Sequence, residues 1–196
     1  MVNIKIYIEG GGEGKDLDSR FREGWTKFFK SAGLEGKMPR PVRGKGRDNT
    51  FDLFCTAIKH AGPNDLPLLL VDSEDPVHQN HNIWDHLSAR DKWSKPDNAD
   101  ENHAFLMVQL METWFLADTR ILKSYFGNNF NENKVPKWTN LESVEKSKVL
   151  NVLNKASNGK YEKGKISFEL LGRLNVEIVK AKLPNAKRLL DYLQEL

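Results

Sequence analysis

Two near-continuous apolar runs stand out along the chain, residues 4–8 and 66–71, and each ends on acid: Glu9 after the first, and Asp72, Glu74 and Asp75 after the second. Runs of this length and composition predict strands buried on both faces, as in a parallel sheet. Between them, Phe21, Trp25, Phe28, Phe29 and Ala32 recur at helical spacing and predict an amphipathic helix over roughly 17–32, closed by Gly33 and Gly36. Pro39 to Val42 reads as a short second strand, and Phe51, Phe54, Cys55, Ile58 and Ala61 mark a second helix that stops at Gly62-Pro63. The order β-α-β-α-β predicts an α/β fold with right-handed crossovers.

Further on, the polar segment 76–102 is expected to be a long functional or mobile loop, with its histidines as ordinary loop residues. Phe105 to Met111 is expected to be a fourth strand and 112–125 a helix; 127–142 is irregular, and helical patterns return near 143–156, 166–173 and 175–195. This predicts a mostly parallel sheet of about four strands over 1–126, with a C-terminal helical extension over 127–196 packed on it as one structural unit.

Composition sharpens this picture in a few respects. At 196 residues with 39% hydrophobic residues, one sizeable core is affordable and no second is required. A net charge of +3 does not by itself indicate nucleic acid, although 30 Lys and Arg residues give a field that helps a polyanion approach. The single cysteine, Cys55, excludes an intrachain disulfide framework. The chain shows neither a signal-peptide pattern nor an apolar run of the ~20 residues a membrane span needs, so a cytoplasmic protein is expected.

In open α/β sheets the ligand site lies beyond the carboxyl ends of the strands, which would gather Glu9, Asp72, Glu74 and further acids such as Glu13 and Asp75 around one crevice. Carboxylates brought together need a neutralising cation, and hard oxygen donors suit Mg²⁺ or Mn²⁺. Such a site fits phosphoryl transfer, above all nucleic-acid cleavage. Gly10-Gly11-Gly12 could offer N–H groups to a phosphate, but it has neither a P-loop ending nor dinucleotide-fingerprint spacing, and a flexible turn is the simpler reading. Arg40, Arg43, Lys45 and Arg47 form the clearest basic cluster, at the same sheet edge as the acids, and Arg43, Lys45 and Arg47 are expected to contact nucleic-acid phosphate. The histidines 78, 81, 86 and 103 have no zinc spacing.

A strand ending Ile8-Glu9-Gly10 and a later one ending Val71-Asp72-Ser73-Glu74 resemble the Toprim domain shared by topoisomerases, bacterial primases and the overcoming-lysogenisation-defect (OLD) nucleases. Its signature glutamate would be Glu9 and its acidic pair Asp72 with Glu74, the latter departing from the usual aspartate. Glu13 has the spacing of the additional acid in OLD-type nucleases. Over nearly its full length the chain resembles a set of small stand-alone Toprim-like proteins, domain-of-unknown-function family 4276, through Tyr7–Gly12, Val71–Val77, Met111–Asp118 and Tyr161–Lys163.

The resemblance implies a Mg²⁺- or Mn²⁺-dependent Toprim nuclease with Glu9, Glu13, Asp72 and Glu74 as metal ligands. It also implies Lys163 as a catalytic lysine, with Lys160 and Lys165 equally eligible by sequence, and Glu112 with Asp75 as outer residues of the site. Members are often encoded beside an ABC- or OLD-type ATPase in anti-phage cassettes, so the expected partners are such an ATPase and a DNA or tRNA substrate, and a homodimer is a further expectation. The rivals are a non-catalytic Toprim-shaped adaptor that regulates the ATPase, and a small-molecule phosphohydrolase.

Overall fold

The computed structural model describes residues 2–12 and 14–196. Among these, four parallel strands form one sheet: β1 (Asn3–Ile8), β2 (Arg40–Arg43), β3 (Asp65–Asp72) and β4 (Ala104–Met107), in the order β2-β1-β3-β4. The α/β class and the parallel sheet expected from the apolar runs are both present. Alternation along the strands sends side chains to two faces. Ile4, Ile6, Ile8, Leu68, Leu70, Phe105 and Met107 enter one core, while Tyr7, Leu69, Val71, Ala104 and Leu106 enter the other.

Helix α1 (Lys15–Ser31) covers the first face with Phe21, Trp25, Phe28 and Phe29, all fully buried. Each such side chain contributes on the order of 1.5–3 kcal/mol by leaving water. The same core takes in Trp114, Phe168 and the apolar faces of the C-terminal helices α6 (Lys146–Ala156), α7 (Lys165–Leu171), α8 (Val176–Lys182) and α9 (Pro184–Glu195). The extension and the sheet therefore share one interior. Helices α2 (Arg47–Lys59) and α3 (Ile83–Asp91) cover the second face through Phe54, Ile58, Ile83, Trp84 and Leu87.

The segment 76–102, expected to be irregular, contains α3. Asn82 and Asp85 form a capping box at its start, satisfying the orphan N–H groups of its first turn. His86 is accordingly a buried helical residue, and Trp84 and Trp93 are both buried. The fourth strand ends at Met107, short of the expected Met111, and the chain then turns through a cis Val108–Gln109 peptide.

The helix expected over 112–125 is two helices, α4 (Glu112–Ala117) and α5 (Thr119–Phe126), broken at Asp118. That buried carboxylate accepts from Asn175 N–H (3.2 Å) and Arg120 Nε (3.2 Å), and Lys182 Nζ donates to the Ala117 carbonyl (2.6 Å). The expected 175–195 helix likewise splits, because Pro184 cannot continue α8 but suits the first turn of α9. Among the described residues, no helix is long and apolar enough to cross a membrane.

Candidate metal centre

Because β1 and β3 are adjacent and parallel, with Ile8 paired to Leu70, the residues that follow their last apolar positions emerge side by side. Glu9 continues the ladder by donating its N–H to Leu70 O (3.0 Å). Asp72 closes β3, and its Oδ1 accepts from Met111 N–H (2.9 Å), which fixes one carboxylate oxygen. Glu74 donates its N–H to Gln109 O (2.8 Å) and has φ 66°, a left-handed conformation that a side chain makes costly. One carboxylate oxygen from each of Glu9, Asp72 and Glu74 lies within 4.8 Å of the others. Three hard oxygen donors at that spacing fit a small divalent cation.

Burial drives the electrostatics here. It raises the pKa of Asp72 well above the ordinary carboxylate range; Glu9, Glu112 and Glu74 push the same way, and Lys163 opposes. Glu9 is raised chiefly by burial, with Arg47 opposing and Glu74 reinforcing. Glu112, at the start of α4, is 0% exposed and accepts from Tyr161 Oη (2.7 Å), while its Oε2 has no partner among the described residues. Tyr161 is itself tied to Ser167 Oγ (2.8 Å), and burial followed by the Glu112 charge raises its pKa, keeping it a donor. Lys163 Nζ stands 3.9 Å from Glu112 Oε1 with its side chain 57% exposed. Burial pulls its pKa down, but Glu112, Asp72, Glu74 and Glu9 together outweigh this and raise it. Glu9, Asp72, Glu112 and Lys163 line one cleft of about 260 Å³, whose apolar wall includes Leu17, Met111 and Phe168.

The structure thus gathers Glu9, Asp72 and Glu74, and brings Glu112 and Lys163 beside them. Glu13 lies outside the described residues. Asp75 is exposed, 3.3 Å from Arg90 Nε.

The basic candidates behave differently from the expectation of free phosphate contacts. Arg43 is only 3% exposed at its side chain and donates to the carbonyls of Gly10 (3.1 Å), Gly11 (3.2 Å) and Gly12 and to Asp18, holding the glycine turn in place. Arg47 bonds Glu9 Oε2 (2.8 Å), both oxygens of Asp91 (2.8 and 2.7 Å) and the Asp72 carbonyl (2.6 Å). Both guanidiniums are consumed by the fold, because buried carboxylates and turn carbonyls at this edge need donors. Lys45 alone of the three is mostly in solvent, at 56%.

Three site residues escaped the sequence reading. Lys146 pairs with Glu74, Arg90 approaches the same carboxylate (Nη2–Oε2 3.7 Å), and Gln109 organises the connection. His86 Nε2 donates to Ser73 O (2.9 Å) and steadies the acidic loop. The capping box 82–85 was the available signal for Arg90 and His86; Lys146 carried none.

A family model described as Domain of unknown function (DUF4276) matches residues 8–194. The chain belongs to this family. DUF4276 thereby spans the triad, α4 and the Tyr161–Lys163 segment together. No curated protein and no solved structure matches the chain.

Proposed function

We propose that this DUF4276 chain is a divalent-metal-dependent phosphoryl-transfer enzyme, in its simplest form a Toprim-type nuclease, acting as effector with an ABC- or OLD-type ATPase in anti-phage defence. One observation carries the reading: residues more than sixty positions apart converge at the carboxyl ends of two adjacent parallel strands, with three carboxylate oxygens within 4.8 Å. The Toprim resemblance of these same strand ends supports it, and supplies the nuclease class and the partner.

Glu9, Asp72 and Glu74 would hold Mg²⁺ or Mn²⁺, which when bound polarises a phosphoryl oxygen and lowers the pKa of bound water. Glu9, its pKa raised by burial, is suited to accept a proton from the attacking water, and Arg47 fixes its orientation. Lys163 stays protonated and balances the charge that develops on the phosphoryl group, while Glu112, pinned by Tyr161, restrains where its ammonium can go.

The test is cleavage of supercoiled plasmid and of total tRNA in Mg²⁺ or Mn²⁺, by the chain alone and with its ATPase. Wild type is expected to cut, and Glu9→Ala and Asp72→Ala to lose at least about 100-fold. A silent wild-type complex, or two variants that cut normally, sinks the proposal. A second reading draws on Arg47, Arg90 and Lys146, which already pair with Glu9 and Glu74: a triad satisfied by cations suits a non-catalytic adaptor that regulates the ATPase. That reading predicts altered ATPase turnover and no cleavage.

A further inference from the structure

We infer that Lys146, assisted by Arg90, is the phosphate-binding element of this site, held on Glu74 until a divalent cation takes that carboxylate. The inference rests on the metal reading and adds which groups receive the nucleic-acid backbone.

The Lys146–Glu74 pair is built by the backbone as well as by charge. Gln109, itself 1% exposed, accepts Glu74 N–H on its carbonyl (2.8 Å) and Lys146 N–H on its side-chain Oε1 (3.0 Å), so one residue fixes both chain segments. The lysine side chain, by contrast, is tethered at its tip, among the described residues, only through Glu74. Its four-carbon stem can redirect the ammonium without moving α6. Arg90 also reaches this carboxylate, at 3.7 Å through Nη2, while its Nη1 is bonded to Asp91 and its Nε stands 3.3 Å from Asp75, so it is a more firmly held cation than Lys146.

Arg47 shows what a structural cation at this edge looks like, with Asp91, Glu9 and a backbone carbonyl all bonded. Arg43 is equally locked. Against these, Lys146 is the cation at Glu74 best able to change partner, with Arg90 anchored beside it on Asp91.

Charge balance supplies the switch. With no metal, the ammonium and guanidinium neutralise Glu74. A divalent ion on Glu9, Asp72 and Glu74 brings two positive charges to the same oxygens and repels both side chains. They then form a positive rim beside the ion, where a phosphodiester has to sit to be polarised. The same competition predicts effects of opposite sign on the two ligands, which a merely structural lysine would not give.

The experiment uses the full chain, with Mn²⁺ affinity measured by calorimetry and binding of a fluorescein-labelled single-stranded oligonucleotide measured by anisotropy in Ca²⁺ or EDTA. Wild type is expected to bind the oligonucleotide roughly tenfold more tightly in Ca²⁺ than in EDTA. Lys146→Ala should tighten Mn²⁺ binding several-fold, weaken oligonucleotide binding in Ca²⁺ roughly tenfold, and lower the slope of log affinity against log salt by about 0.7. Glu74→Gln should do the reverse, losing Mn²⁺ affinity while binding the oligonucleotide in EDTA better than wild type. If wild type binds Mn²⁺ but Lys146→Ala leaves that affinity unchanged or weaker, or leaves oligonucleotide affinity and salt slope unchanged, the inference is overturned and the metal reading stands. If wild type binds no Mn²⁺, both fall together.

Discussion

Asp72 is the residue on which the site's energetics turn. It is buried among Glu9, Glu112 and Glu74, and burial with their charges raises its pKa. In the window between the ordinary value of 3.8 and the raised one, the folded state binds more protons than the unfolded state, so stability falls as pH rises through that window. Glu9 adds to the trend with the same sign. Asp91 has the opposite sign, since Arg47 and Arg90 hold it below its ordinary value despite burial, but its loss of stability is confined to more acidic conditions.

In EDTA the melting temperature should therefore rise as pH is lowered from neutral towards the ordinary carboxylate range. Saturating Mg²⁺, at roughly 100 times its Kd, should recover about 2.7 kcal/mol at neutral pH, or ~5–10 °C, and progressively less on acidification. Asp72→Asn keeps an acceptor for Met111 N–H, so it should match or exceed wild-type stability at neutral pH, flatten the pH dependence and abolish the Mg²⁺ shift. A differential scanning series in pH and Mg²⁺ checks all of this, and a wild-type profile that rises with pH across the window contradicts it.

Glu9, Asp72 and Glu74 were legible in the sequence because each stands at or just past the end of a recognisable strand. Lys146 was not, because nothing local marks which turn of a distant helical segment will land on a strand end.

Helix α1 shows how element placement reaches the site. Its aromatic spacing was plain in the sequence, and Gly24 stands in the middle of that stripe. A Cβ at Gly24 would stand 2.4 Å from the Phe168 carbonyl oxygen of α7, so the glycine permits the two helix backbones to touch. Phe21 meets the Phe168 ring edge-on at 5.3 Å, and Arg20 pairs with Glu169 (2.6 Å) along the same contact. Helix α7 begins two residues after Lys163 and carries Ser167, the partner of Tyr161. Displacing it would shift the lysine side of the cleft while leaving β1 and β3 in place.

Gly24→Ala should thus destabilise by roughly 1–3 kcal/mol in urea denaturation through overpacking. Mn²⁺ affinity should stay within about twofold of wild type, because the triad hangs on the sheet. A large loss of metal affinity would mean that α7 also positions the carboxylates. The element boundaries that sequence reading misplaced have equally local causes: the Asn82–Asp85 capping box starts α3, a buried Asp118 splits α4 from α5, and Pro184 separates α8 from α9. The capping box and the proline are signals a sequence carries. The burial of Asp118 against Asn175 is not, since it depends on packing between segments 57 positions apart.

At the scale of the whole molecule, the sheet half and the helical half depend on each other for a core and for the site. Residues 127–196 supply Leu153, Phe168, Leu189, Leu190 and Leu193 to the face that Ile6, Ile8 and α1 begin. Arg188 of α9 lies 4.6 Å from the Phe105 ring centre and donates to Ala104 O (3.1 Å) on strand β4. The same half brings Lys146, Tyr161 and Lys163 to acids contributed by the other. Sequence patterning predicted helices over the C-terminal third, but the shared interior could not be read from it, because helical periodicity reports that a face is apolar and not what it covers.

A fragment ending at residue 126 would lose Leu153, Phe168, Leu189, Leu190 and Leu193 from the shared core and uncover the apolar face they complete, Phe21 among it, which favours aggregation over folding. It should therefore show no cooperative melt and no Mn²⁺ binding. In the full chain, far-ultraviolet dichroism reports mainly helices, while tryptophan fluorescence reports Trp25, Trp114 and Trp138 at the shared core together with Trp84 and Trp93 on the other face of the sheet, so their urea transitions should coincide. Two separated transitions, or a fragment that melts cooperatively and binds Mn²⁺, would show that the sheet half folds alone; the C-terminal half would then be a detachable module that brings its lysines to an already formed metal site.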